Sequence, residues 1–129
     1  MNYPKSRLRR LRYNKNIRSL VQDVQLNISD LIYPIFICEG ENIKEEINSL
    51  PGQYRLSVDN VLVLCDELIK LGIKSILLFG ISNKKDNDGS IACREDSIIP
   101  FAIKKIKKKF STDILIMADL CNCSYTSHG

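Results

Sequence analysis

The sequence predicts an α/β fold in which parallel strands alternate with helices. Three apolar runs, at residues 31–38, 75–80 and 114–118, have the length and composition of buried strands. Amphipathic segments separate them, and a repeat of roughly 35 to 40 residues is typical of right-handed βαβ units. Such strands fit either half of a doubly wound sheet or the start of a (β/α)8 barrel, which needs about 250 residues. No Gly-x-Gly-x-x-Gly follows the first strand, so the usual dinucleotide fingerprint is missing.

Charge divides the chain into a basic N-terminal arm, residues 1–23, and a body, residues 24–129. The net charge is +4, but residues 1–18 carry seven basic side chains and no acidic one. The rest of the chain therefore has more acidic than basic side chains, with 15 Asp and Glu residues. The basic character belongs to the arm, which argues against a broad nucleic-acid-binding face on the body.

The arm is predicted to be extended up to about Tyr13 and to contain one short helix at residues 16–23. Contact with phosphates is one interpretation of its arginines, but the run from Arg7 to Arg12 has no interleaved aromatic residues. Docking on a neighbouring subunit accounts better for Leu8 and Leu11. An organelle transit peptide is a third interpretation of an arginine-rich, acid-free start.

The first strand, residues 31–38, contains Pro34, which has no amide hydrogen to donate. We therefore expect a bulge in this strand or an open side next to the proline. The polar stretch that follows ends in Leu50-Pro51-Gly52, a turn signal.

Two helices are predicted between the strands. Ser57 is the expected cap of the first and Gly72 its stop. Its apolar residues recur at steps of three and four: Val58, Val61, Leu62, Cys65, Leu68 and Ile69. The second helix runs from about Ser97 to Phe110, with Pro100 tolerated in the first turn. It is expected to bury Ile99, Ala102, Ile103, Ile106 and Phe110 and to expose Lys104, Lys105, Lys107, Lys108 and Lys109.

The candidate site follows the last strand, Ile114 to Ala118, which is predicted to be buried on both faces. Asp119 comes directly after it, where an acid is costly to bury unless it is paired or functional, and a backbone cap is the alternative. Cys121-x-Cys123 could supply two zinc ligands, or could be two reduced cysteines in a loop. His128 is either a third ligand or a loop residue that only forms hydrogen bonds.

The five cysteines are an odd number without a regular disulfide framework, and Cys38, Cys65 and Cys93 are interpreted as buried or incidental thiols. No apolar core of a secretory signal follows the basic start, and no apolar run approaches the ~18 residues of a membrane span. We therefore expect a cytoplasmic protein with reduced thiols and no membrane partner.

Seven segments, in order along the chain, carry a resemblance to one family. They are Arg7-Leu-Arg-Arg-Leu-Arg12, Asp30-Leu-Ile-Tyr-Pro-Ile-Phe36, Leu50-Pro-Gly52, Leu78-Phe-Gly-Ile-Ser82, Asp88-Gly-Ser90, Arg94-Glu-Asp96 and Asp119-Leu-Cys-Asn-Cys-Ser-Tyr-Thr-Ser-His-Gly129. Together they resemble the delta-aminolevulinate dehydratases, or porphobilinogen synthases, and the last segment is the most specific.

The resemblance implies a (β/α)8 TIM barrel, of which this chain supplies about three of the eight strands, behind an arm that contacts a partner subunit in a homo-octamer. It implies a lyase of haem and tetrapyrrole biosynthesis, which condenses two molecules of 5-aminolevulinate to porphobilinogen with loss of water. Cys121 and Cys123 match the first two of three zinc-binding cysteines, and Asp119 matches an active-site acid. The resemblance also implies that Mg²⁺ binds as an allosteric ion.

The family motif continues into His-Cys-Gly, which would bring the third cysteine two positions beyond Gly129. Two lysines that form Schiff bases with the substrates are also expected outside these residues, since neither Lys70 nor the group at 104–109 matches them. We therefore expect the N-terminal portion of a dehydratase, not competent alone. The alternatives are an inactive truncated remnant and a basic-armed protein that binds nucleic acid without being an enzyme.

Overall fold

Five strands, three α-helices and three short 3-10 helices make up the computed structural model, which describes Lys5 and residues 8–128. Arg7 of the predicted arm and Gly129 of the last loop lie outside the described residues. The elements are α1 (Lys15–Leu20), β1 (Ile32–Cys38), β2 (Lys44–Glu46), β3 (Tyr54–Leu56), α2 (Val58–Lys70), β4 (Ser75–Ile81), α3 (Ile98–Phe110) and β5 (Leu115–Ala118).

All five strands form one sheet in the order β2-β3-β1-β4-β5. The three predicted strands are confirmed as β1, β4 and β5, and they are parallel neighbours. β2 and β3 were not predicted; they are an antiparallel pair that adds to the sheet beside β1. Each has three residues, and β2 is the fully exposed Lys44-Glu45-Glu46, so neither presents the apolar run by which strands are recognised.

Both long helices cover the same face of the sheet. The core lies between them and the strands, where Ile35 and Ile37 of β1 and Ile76 and Leu78 of β4 are buried. On the opposite face Phe36 and Phe79 stack, with ring centroids 5.2 Å apart, and remain half-buried. A doubly wound sheet carries helices on both faces, whereas a barrel carries them only on the outside. The arrangement therefore favours the barrel.

The predicted open side of β1 is confirmed. β4 pairs with β1 along its whole length, whereas β3 pairs only with Phe36 and Ile37. Pro34 thus has no partner in β3, so its missing amide hydrogen removes no hydrogen bond between β1 and β3.

The prediction that the last strand is buried on both faces is wrong. β5 is the outer strand of the sheet and pairs only with β4, and 60% of Leu115 is exposed. Ile114, the first residue of the predicted strand, is buried just before β5 begins.

The helices follow the apolar spacing closely. α2 ends at Lys70, and Gly72 follows its cap residue Leu71 with a positive φ of 87° that suits glycine. Pro100 lies in the first turn of α3, as expected. Ser57 precedes α2, but its hydroxyl does not cap the helix: it accepts a hydrogen bond from the Ile43 amide at 2.8 Å. The predicted helix of the arm is confirmed near its expected place as α1, capped by the Asn14 side chain. No helix in the described part of the chain is long and apolar enough to cross a membrane.

Candidate metal centre

Asp119, Cys121 and Cys123 lie in the loop that follows β5, at the carboxyl end of the parallel strands. The Asp119 amide donates to the Leu78 carbonyl at 3.0 Å, which extends the pairing between β4 and β5 by one bond. The Asp119 side chain is exposed. The expected cost of burying its carboxylate therefore does not arise, because β5 is an outer strand.

The two thiols of Cys121 and Cys123 point at each other. Both side chains are exposed and free, and their sulfur atoms are 2.6 Å apart. The hydrogen bond with Cys121 raises the pKa of Cys123, and burial and the charge of a second thiolate add to the rise. Two thiolates at ~2.3 Å from a tetrahedral zinc ion lie about 3.8 Å apart. Small side-chain rotations would reach that spacing, so the pair fits as two of the ligands of a zinc ion.

Among residues 8–128, no three side chains of the His, Cys, Asp and Glu types gather closely enough to hold a metal ion. His128 is exposed and is not brought to the cysteine pair. The described residues thus offer two cysteine ligands, with Asp119 in the same loop, and further ligands must come from elsewhere.

The other three cysteines differ in their surroundings. Cys65 is fully buried on the inner face of α2, and burial raises its pKa to about 11. Cys38 is also buried, and burial raises its pKa too. Cys93 is exposed, so it is an incidental thiol and not a core residue.

Tyr125 is a residue of this loop for which no role was predicted from the sequence. It is buried, and burial raises its pKa, followed by the charges of Glu39 and Asp119. Its amide and that of Thr126 both donate to the Asn122 carbonyl, at 2.8 and 3.0 Å. The loop therefore folds back into a tight turn that contains the second cysteine.

The loop at residues 86–90, after β4, supports this turn. Asp86 donates its amide to the Tyr125 carbonyl at 3.1 Å and accepts from the Ser127 amide at 2.8 Å. Its carboxylate accepts from the amides of Asp88 and Ser90, and the hydrogen bond from the Ser90 hydroxyl lowers the pKa of Asp86. Nothing in the sequence indicated that this loop would contact the turn.

Comparison with known proteins gives consistent results. The family model for delta-aminolevulinic acid dehydratase matches residues 5–129. The dehydratase of Helicobacter pylori J99 is 49% identical over 124 residues, which are 95% of this chain and 38% of the relative. That of Methanothermus sociabilis is 46% identical over 129 residues, or 40% of its length.

The structural comparison agrees with these matches. The crystal structure of the Toxoplasma gondii ME49 porphobilinogen synthase, in complex with the product porphobilinogen, superposes with a TM-score of 0.87 at 35% identity. The match covers 95% of this chain and 35% of that one.

The chain therefore spans about two fifths of the length of these relatives, and its five-stranded sheet is part of a TIM barrel. Members of the matching family are enzymes, and they generally bind metal ions. With a family model matched from residue 5 to residue 129, this chain belongs to the delta-aminolevulinic acid dehydratase family.

Proposed function

We propose that this chain is the N-terminal portion of a porphobilinogen synthase, which condenses two molecules of 5-aminolevulinate and releases water. The observation that carries the proposal is the pair of exposed thiols, Cys121 and Cys123, with sulfur atoms 2.6 Å apart at the carboxyl end of a partial barrel. Barrel enzymes place their chemistry at that end of the strands.

Cys121 and Cys123 are the proposed first two ligands of a catalytic Zn²⁺, with a third cysteine outside these 129 residues. Thiolates suit zinc, whereas Mg²⁺ prefers oxygen ligands, and so a magnesium ion would occupy a separate, allosteric position. When bound, zinc would supply a Lewis acid that polarises a substrate oxygen. Asp119 is the proposed acid of the site: its exposed carboxylate at the same edge can accept a proton from a bound substrate and return it.

The lysines that form Schiff bases are also proposed to lie outside this chain. The lysines of α3 face solvent on the side of the helix away from the sheet. Lys70, at the end of α2, is paired with Asp66 at 2.6 Å. Neither position is at the carboxyl edge of the strands, which supports the proposal that imine chemistry uses other lysines.

The proposal extends to assembly and setting. Residues 1–23 are proposed to contact a second subunit in a homo-oligomer, an octamer by family resemblance. Leu8 and Leu11 support this, because they are 79% and 60% exposed with no core of their own to enter. The cytoplasm is the proposed compartment, since all five cysteines are free.

A chimera tests the function. Residues 5–128 replace the matching segment of the Helicobacter pylori J99 dehydratase, and porphobilinogen formation from 5-aminolevulinate is measured. We expect the chimera to form porphobilinogen and the 129-residue chain alone to form none, because the chain has two metal ligands and no imine-forming lysine of the family pattern.

Cys121→Ser and Cys123→Ser in the chimera should each reduce the rate by about 10-fold or more, as losses of metal-site groups do. Cys93→Ser is the matched control, since Cys93 is also an exposed free thiol. An inactive but folded chimera, or equal rates in all three serine variants, would count against the proposal.

A further inference from the structure

One strand, β4, holds the metal loop at both ends. At the start of the loop the Asp119 amide donates to the carbonyl of Leu78. At the far end the side chain of Tyr125 reaches Gly80, the next residue but one along β4. Cys121 and Cys123 lie between these two attachments, so the positions of their sulfur atoms depend on both.

The contact between Tyr125 and Gly80 leaves no room for a side chain on the strand. A Cβ atom added to Gly80 would overlap the Tyr125 hydroxyl oxygen and would lie 2.8 Å from Cγ1 of Ile99. The tyrosine ring is rigid and buried, so it could not yield without moving its own backbone. Glycine at this position of β4 is thus what allows the loop to approach the sheet.

The backbone around Tyr125 transmits this contact to the cysteines. The Asn122 carbonyl accepts from the Tyr125 amide at 2.8 Å, and Asn122 is the residue between the two cysteines. The Tyr125 carbonyl accepts from the Asp86 amide at 3.1 Å, which ties the turn to the neighbouring loop. A displaced Tyr125 would therefore move Asn122, and with it both thiols.

We propose that Tyr125, seated on Gly80, is the positioning residue that makes Cys121 and Cys123 converge for metal binding. This inference rests on the proposed function, because it concerns the same loop. Tyr125 supplies no ligand atom and acts only through the turn that carries the ligands. Groups that orient metal ligands typically change metal affinity by about 10- to 100-fold when they are altered.

The test is a Co²⁺ titration of the metal-free chimera with the Helicobacter pylori J99 dehydratase, in which the proposed third cysteine is present. Binding is followed by thiolate-to-cobalt charge-transfer absorption, which appears only when sulfur binds the metal. We expect Gly80→Ala to weaken binding by about 10-fold or more. Adding Tyr125→Phe to Gly80→Ala removes the oxygen that the new methyl group would overlap, and should restore part of the affinity, since the close contact with Ile99 remains. Tyr125→Leu, which introduces no overlap, should weaken binding on its own, so the test does not depend on one variant.

Ile76→Val is the control for a general loss of stability, because Ile76 is a buried residue of the same strand that faces the helices. A metal-free readout uses phenylarsine oxide, which needs two thiols within reach of one arsenic atom. Capture should slow in Gly80→Ala and Tyr125→Leu but not in Ile76→Val. If the unsubstituted chimera binds Co²⁺, and Gly80→Ala and Tyr125→Leu match it in both affinity and capture rate, this inference alone is wrong. If the unsubstituted chimera shows no charge-transfer bands, both the proposed metal site and this inference are wrong.

Discussion

At the scale of single residues, burial separates the five cysteines into two groups. Cys38 and Cys65 are buried, whereas Cys93, Cys121 and Cys123 are exposed. Since a metal ion or a reagent must reach the sulfur atom, only the exposed group is accessible for chemistry. Of that group, only Cys121 and Cys123 are adjacent in space to another thiol.

The buried Cys65 should make the protein less stable in alkali. Burial raises its pKa from 9.0 to about 11, so between these values the unfolded chain releases a proton that the folded chain keeps. Below pH 9.0 the ionisation of Cys65 leaves stability unchanged. Between pH 9.0 and about 11 the free energy of unfolding falls as the pH rises, by up to about 1.4 kcal/mol per pH unit.

Denaturant unfolding at about pH 8 and about pH 10 measures this loss. In Cys65→Ala the loss between the two conditions should be smaller than in the wild type, although the variant is less stable at both. An equal loss in the two proteins would mean that Cys65 is not its source.

The sequence predicted Cys121 and Cys123 as candidate ligands, which stays a prediction, but it did not indicate the residues that hold them. Spacing alone brings Cys121 and Cys123 onto one loop, and their residue type indicates zinc. Tyr125 carried no such signal, because its contact with Gly80 depends on how two strands lie side by side. The exposure of Asp119 also depended on the neighbours of β5, which its own residues do not specify.

At the scale of elements, the two serines that precede α2 and α3 have different roles. Ser57 and Ser97 are both buried at helix starts, and neither side chain caps its helix. The Ser57 hydroxyl exchanges hydrogen bonds with Ile43 and accepts one from Asn60. The Ser97 hydroxyl has no partner among the described residues.

This difference predicts unequal effects of the same substitution. Ser57→Ala should lower the free energy of unfolding by about 1–3 kcal/mol, because it leaves the half-buried Ile43 amide without its acceptor and loosens the join between β2 and α2. Ser97→Ala is the matched control and should change stability by less than about 0.5 kcal/mol. Chemical denaturation of both variants decides the question, and equal losses would contradict the assigned role of Ser57.

The long helices were predictable because a buried face leaves apolar residues at steps of three and four, as in Ile98–Phe110. The pair β2 and β3 was not, because its pairing rests on backbone hydrogen bonds with few apolar side chains. Local pattern therefore identifies elements that bury a face, and it misses elements that only extend a sheet.

At the scale of the whole molecule, the helices cover one face and the sheet is open at β5. The resemblance supplied the choice of a barrel, which the βαβ repeat alone had left open. The structure supports it through the shared face of α2 and α3. An open outer strand with exposed apolar residues can pair with another chain.

We therefore expect the 129-residue chain to self-associate. Leu115→Lys places a charge on β5, where 60% of the leucine is exposed, and should reduce light scattering at equal concentration. Leu71→Lys is the control, since Leu71 is 66% exposed but follows α2 and not an open strand. Equal scattering by the two variants would argue against association through β5.

The most direct test of the central claim is zinc X-ray absorption spectroscopy on the zinc-loaded chimera with the Helicobacter pylori J99 dehydratase. The account predicts sulfur ligands at ~2.3 Å from the metal, with one sulfur fewer in Cys121→Ser and one fewer in Cys123→Ser. Cys93→Ser should leave the spectrum unchanged. An unaltered sulfur shell in Cys121→Ser and Cys123→Ser would show that the metal binds elsewhere and would contradict the account.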